Sequence, residues 1–223
     1  MKQDLIRQHV DSAPPGLFAA WLDARGIACE VSRSWLAGPL PDPAGYAFVV
    51  SLGHDRGAYE TGDPAVAAER ELLATAVQRD VPVLGLCYGG QVLAAVLGGK
   101  VDRAPVPELG WREVETGDAG VIPAGPWLEW HYDRFTTPPG ATELARTADA
   151  QQAFRLGPHL GVQFHPEATV EIVAGWAVAD GREDVPLAAP PEQREAARSA
   201  AFRLFDGFVR SADLLAHHLP SSA

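Results

Sequence analysis

The chain is poor in the features that would place it outside a soluble globular class. Of its 223 residues only two are cysteine, Cys29 and Cys87, far apart and in no C-x-x-C pair. That argues against a disulfide framework and a zinc site, so no metal is expected, and it suits a reducing cytoplasm. No apolar run approaches the roughly 18 residues of a membrane span. The opening MKQDLIRQHVDSAPP has neither the long apolar stretch nor the small-residue cleavage site of a secretory leader. Positive charge is scarce: 18 Lys and Arg stand against 29 Asp and Glu, a net charge of −11. Such a surface repels phosphate backbones and anionic lipid, which excludes nucleic acid and membrane as favoured partners. There is no internal repeat, no low-complexity segment and no G-x-x-x-x-G-K-[ST] loop for ATP.

What the chain does have is a folded composition, 47% hydrophobic against 21% charged, and one domain over residues 1–223 is the expectation. Apolar runs alternate with helical patterns. Strands are expected at Leu5–Val10, Ile27–Val31, Tyr46–Ser51 and Val81–Leu86. Helices are expected at Leu17–Arg25, stopped by Gly26, at Ala65–Gln78, opened by Asp63 and Pro64, and at Gly90–Leu97. This β-α-β-α order argues for a parallel sheet with helices on both faces. The middle differs. Trp111–Glu115, Trp127–His131, Glu143–Thr147, Ala153–Leu156 and His159–Phe164 are short, are separated by Gly/Pro turns, and read as strands, some antiparallel. Helix returns at Thr169–Ala179 and Pro191–Ala216.

One bend carries the chemistry. In "PVLGLCYGGQVLAAVLGG" a strand pattern stops at Gly85-Leu86-Cys87-Tyr88-Gly89 and a helix pattern follows. A strand that turns sharply into a helix presents one side chain at the top of the sheet, the geometry of a nucleophile elbow. The following helix aims its N-terminal N–H groups and positive dipole end at the sulfur, which favours a thiolate. It also leaves the Tyr88 amide facing the place of an oxyanion. The competing reading is a buried structural cysteine. A thiolate nucleophile needs a proton carrier, and among seven histidines His165 stands out in "GVQFHPEAT". Pro166 forces His165 into an extended conformation. Residues two apart then share a side, so Glu167 can orient the imidazole. Taken alone, His165 reads more readily as a loop histidine; paired with the elbow it becomes a candidate for a Cys, His, Glu triad. His9, His54 and His159 read as loop or core residues, and His217 and His218 are expected at a helix C-terminus.

At these residues the sequence resembles the class I, or triad, glutamine amidotransferases. "GLCYGGQ" is similar to their G-x-C-x-G-x-Q motif and "QFHPE" to their His-Pro-Glu motif. "VPELGWREVE" and "LEWHYDRFTTPPGATELART" resemble further segments, the latter typical of standalone members related to the amidotransferase domain of GMP synthase. The likeness spans roughly residues 4–215. It implies a flavodoxin-like α/β fold with a mostly parallel sheet, no cofactor, and hydrolysis of the glutamine side-chain amide through a Cys87 thioester. His165 would pass a proton to departing ammonia. By position, Gly53 falls on the family's oxyanion glycine and joins Tyr88. Gln91 falls on its substrate-contacting glutamine. Trp130, His131 and Tyr132 fall on the loop that holds the α-amino and carboxylate groups of the substrate.

Three functions fit this likeness. One is an amidotransferase subunit supplying ammonia to a separate synthetase, since no ATP motif is present. Another is a γ-glutamyl hydrolase or peptidase of the same fold, cleaving a γ-glutamyl conjugate. Leu52-Gly53-His54 and His131-Tyr132, bulkier than the family's usual residues there, keep that donor in view. The third is a catalytically idle binding module, against which the intact Cys87, His165 and Glu167 speak.

Overall fold

The structure, a computed structural model, describes residues 2–212. His217, His218 and the expected end of the last helix at Ala216 lie outside the described residues. The first half is a repeating strand–helix pattern: β1 (Asp4–Gln8), α1 (Gly16–Arg25), β2 (Cys29–Arg33), β3 (Val49–Ser51), α2 (Pro64–Gln78), β4 (Val83–Leu86) and α3 (Tyr88–Val96). The strands β5 (Val101–Arg112), β6 (Glu115–Thr116), β7 (Trp127–Phe135), β8 (Thr142–Arg146), β9 (Gln151–Leu156) and β10 (His159–Val162) follow, then α4 (Val170–Ala179) and α5 (Pro191–Ser211).

The helix ends have the expected local causes. Gly26 closes α1 in the left-handed conformation at φ 64°, which costs a residue without Cβ little. Asp63 opens α2 by accepting from the backbone N–H of Ala65 and Val66, with Pro64 in the first turn.

Eight strands form one sheet in the order β2-β1-β3-β4-β10-β9-β8-β6. The run from β2 to β10 is parallel, and β9, β8 and β6 continue it antiparallel. The inner parallel strands β1, β3, β4 and β10 are buried on both faces, while the edge strand β2 is partly exposed. Alternation divides them. Ile6, Val50 and Leu84 meet Phe18, Trp21, Phe205 and Phe208 of α1 and α5, while Leu5, Val49 and Val83 meet Leu72, Leu73, Val92 and Leu93 of α2 and α3. No helix among the described residues is long and apolar enough to cross a membrane.

The middle departs from the expected boundaries. β5 starts ten residues before the expected Trp111 and pairs antiparallel with β7 in a second, two-stranded sheet. Its register shifts between Arg103 and Glu108. Pro105 and Pro107 sit in that irregular stretch, where no ladder N–H is missed. Prolines in the sequence masked the strand. α4 closes over this ribbon, with Val173 and Ala177 packed on Leu109, Leu128 and Trp130.

Candidate active site

Cys87 is the single residue between β4 and α3. It stands at φ 51° and ψ −107°, a strained backbone for a residue with a side chain, costing on the order of 1–3 kcal/mol. The neighbouring strands hold it there. The Cys87 N–H donates to the Val162 carbonyl at the end of β10 (2.9 Å), and the Gly89 N–H to Leu52 just past β3 (3.2 Å). Two glycines make the approach feasible. A Cβ on Gly89 would lie 2.1 Å from the Ser51 carbonyl oxygen, and one on Gly85 2.5 Å from that of Gly89.

The same topology delivers the other groups. β3, β4 and β10 lie side by side and parallel, so the segments leaving their C-terminal ends emerge together, where open α/β sheets place ligand sites. Gly53 follows β3, Cys87 follows β4 and His165 follows β10. The His165 N–H donates to Leu128 of β7, and the Leu17 N–H of α1 donates to the Glu167 carbonyl. His165 Nδ1 lies 2.7 Å from Glu167 Oε1, and both residues are buried. Its Nε2 is buried and, among the described residues, has no hydrogen-bond partner. Burial opposes charge on this ring, but Cys87 and Glu167 outweigh it and hold the imidazole well above its ordinary pKa.

Cys87 and His165 line a cavity of about 370 Å³ together with Gly53, Tyr88 and Gln91. A Cβ on Gly53 would lie 3.3 Å from His165 Cε1, so the expected oxyanion glycine borders the imidazole. Gln91 spends its amide Nε2 on the Asp133 carbonyl (3.1 Å) and on Gln163 Oε1 (3.4 Å). Only its Oε1 remains for a ligand.

Trp130, His131 and Tyr132 also line the cavity, but they lie in strand β7 and not in the expected loop. Strand alternation therefore separates them. Trp130 and Tyr132 both donate to Asp180 Oδ2 at the end of α4 (2.8 and 3.2 Å). The His131 ring turns the other way and is buried between two carboxylates, its Nε2 3.3 Å from Glu108 and 3.2 Å from Glu129. Burial works against its charge, but Glu108, Glu129 and the nearby Cys87 push its pKa up to about 10.

Sequence reading missed several of these partners. Glu108 faces His131 across the β5–β7 ladder, and Gln163, inside the quoted "QFHPE", places Nε2 3.7 Å from Cys87 Sγ. His54 had read as a loop or core residue. It lines the cavity and stacks flat on buried His9, with centroids 5.6 Å apart, while Tyr88 meets both rings edge-on at 5.1 Å. The bulk expected at Leu52-Gly53-His54 is thus real. Among the described residues, no group of three or more His, Cys, Asp or Glu is placed to hold a metal ion.

The chain is similar to known proteins in sequence and fold. The family model "Glutamine amidotransferase class-I" matches residues 61–172, half of the chain. The GMP synthase [glutamine-hydrolyzing] of Aeropyrum pernix is 46% identical over 106 residues, covering 44% of this chain and 20% of that protein. That of Thermomicrobium roseum is 39% identical over 152 residues, covering 63% of this chain and 27% of that protein. The chain thus spans about a quarter or less of the length of these curated relatives. The crystal structure of a glutamine amidotransferase from Methylobacillus flagellatus superposes with a TM-score of 0.83 at 25% identity, covering 100% of this chain and 97% of that one. With the fold matched along its whole length, and with Cys87, His165 and Glu167 inside the matched segment, this chain belongs to the class I glutamine amidotransferase family.

Proposed function

We infer that the chain hydrolyses the side-chain amide of glutamine and releases ammonia for a separate synthetase. The observation that carries this reading is the convergence of Cys87, at its strained elbow, with the free Nε2 face of the Glu167-held His165 in one cavity. The Cys87 thiolate attacks the amide carbon. The developing oxyanion is met by the N–H groups of Tyr88 and Gly53. The raised pKa of His165 suits an imidazolium that gives its Nε2 proton to the departing nitrogen, so that ammonia leaves and a γ-glutamyl thioester remains. The same nitrogen, now neutral, takes a proton from water. Hydroxide adds to the thioester, glutamate leaves, and the thiolate returns. Glu167 keeps Nδ1 protonated throughout and so keeps Nε2 aimed at the reaction.

A synthetase partner is supported by the relatives, which are named as glutamine-hydrolysing GMP synthases and extend well beyond the matched region. The test is steady-state ammonia release by the purified chain from glutamine and from γ-glutamyl amines, with and without a candidate synthetase. Slow glutamine turnover that rises on adding the synthetase is the expected result. Fast turnover of a γ-glutamyl conjugate, with feeble turnover of glutamine under all conditions, overturns it in favour of a γ-glutamyl hydrolase.

A further inference from the structure

Gln163 lies behind the reacting sulfur. Its side chain is fully buried and is not part of the cavity wall. Its Nε2 is 3.7 Å from Cys87 Sγ and its Oε1 is 3.4 Å from Gln91 Nε2. The direction of this amide follows from the network. The Asp133 carbonyl only accepts, so the end of Gln91 that lies 3.1 Å from it is the NH₂. That NH₂ also meets Gln163, which answers with its carbonyl oxygen. The NH₂ of Gln163 is thereby turned to the sulfur. His131 Nδ1, 2.9 Å from the same Asp133 carbonyl, holds the far end of the relay.

The geometry points to Gln163 as a positioning residue that grips the Cys87 sulfur from the protein side through an N–H···S hydrogen bond. This rests on Cys87 being the nucleophile. The donor amide approaches from the cavity and the proton moves at His165 Nε2. Gln163 occupies the remaining side and holds the sulfur in place between them. A fully buried primary amide is costly unless both of its ends are bonded. Gln91 and Cys87 supply those bonds, where Met would fill the same volume without them.

The test is iodoacetamide alkylation of the intact chain at neutral pH, read residue by residue by mass spectrometry, with half-buried Cys29 as the internal control. The reagent needs no γ-glutamyl group, so the result does not depend on which donor the enzyme uses. Gln163→Glu keeps the shape and removes the donor when ionised; Gln163→Met keeps the volume and removes donor and acceptor. In both, Cys87 alkylation slows roughly tenfold or more, while Cys29 reactivity and the circular dichroism spectrum stay as in the wild type. With glutamine, kcat falls and KM holds, because Gln163 does not face the cavity; a merely structural role would move both. If neither variant folds, Gln91→Met removes the group that orients Gln163, and Cys87 alkylation slows there by a smaller factor. Wild-type alkylation of Cys87 in the folded Gln163 variants, or in Gln91→Met in their place, overturns the proposal. Slowed alkylation in a chain that releases no ammonia from glutamine upholds Gln163 and removes the glutaminase reading instead.

Discussion

His165 Nδ1 sits 2.7 Å from Glu167 Oε1, with the two residues separated only by Pro166 and both buried beneath the cavity. An accepting carboxylate there assigns the proton to Nδ1 and leaves Nε2 for proton transfer. Glu167→Gln should lower turnover by roughly a hundredfold, because an amide still holds the ring but not its useful tautomer. His165→Ala should lower it further. Steady-state rates decide this, and equal, complete loss in both variants counts against the division of roles.

Cys87 should be the sole target of a glutamine-derived chloroketone. It lines the cavity, whereas Cys29 begins the edge strand β2, where burial together with Asp4 and Asp23 pushes its thiol pKa up. Mass spectrometry should find one label per chain, on Cys87. A label on Cys29, or full activity in Cys87→Ala, contradicts the assignment.

Gly53→Ala tests the oxyanion side. The added methyl would lie 3.3 Å from His165 Cε1 and 3.9 Å from the Ala13 Cβ, tight for the ring but open elsewhere. The fold should survive with little change in Tm. Turnover should fall by on the order of tenfold to a hundredfold, as a displaced imidazole or amide would produce. Unchanged kcat would remove Gly53 from the site.

Two buried histidines set opposite limits on stability. Burial, aided by Arg7 and His54 and opposed by Glu69, pushes His9 down to about 4. Between that value and the ordinary 6.5 the unfolded chain takes up a proton that the folded chain refuses, so stability falls as pH drops through this window, by up to roughly 3 kcal/mol. His131, held up to about 10 by Glu108, Glu129 and Cys87 against its burial, contributes in the other sense. Its stabilisation is complete below about 6.5 and is lost as pH rises toward 10. Thermal melts across pH should show His9→Gln flattening the acid limb and His131→Gln the alkaline limb. An acid limb unchanged in His9→Gln would show that His9 does not carry it.

Much of the fold was legible because its causes are local. A glycine after α1, an aspartate and proline before α2, and unbroken apolar strands all act within a few residues, and the parallel core follows from their alternation. The backbone at the proposed triad, Cys87, His165 and Glu167, was legible for the same reason. The glycines around Cys87 and the proline between His165 and Glu167 constrain the backbone on the spot, whatever the rest of the chain does.

What remained hidden depends on strands that meet only in three dimensions. β5 carries two prolines and shows its strand character only when paired with β7. That pairing sets Glu108 opposite His131 and fixes which side of β7 each residue faces. Trp130 and Tyr132 thus reach Asp180, while His131 turns inward to the carboxylates. His54 reads as an ordinary loop residue until β1 and β3 lie together and bring His9 beneath it. The sequence by itself determined the bends at which the proposed reactive groups stand. The tertiary structure alone decided their surroundings, because a strand's facing and a buried group's partners are set by the neighbouring strand, which is remote in the chain.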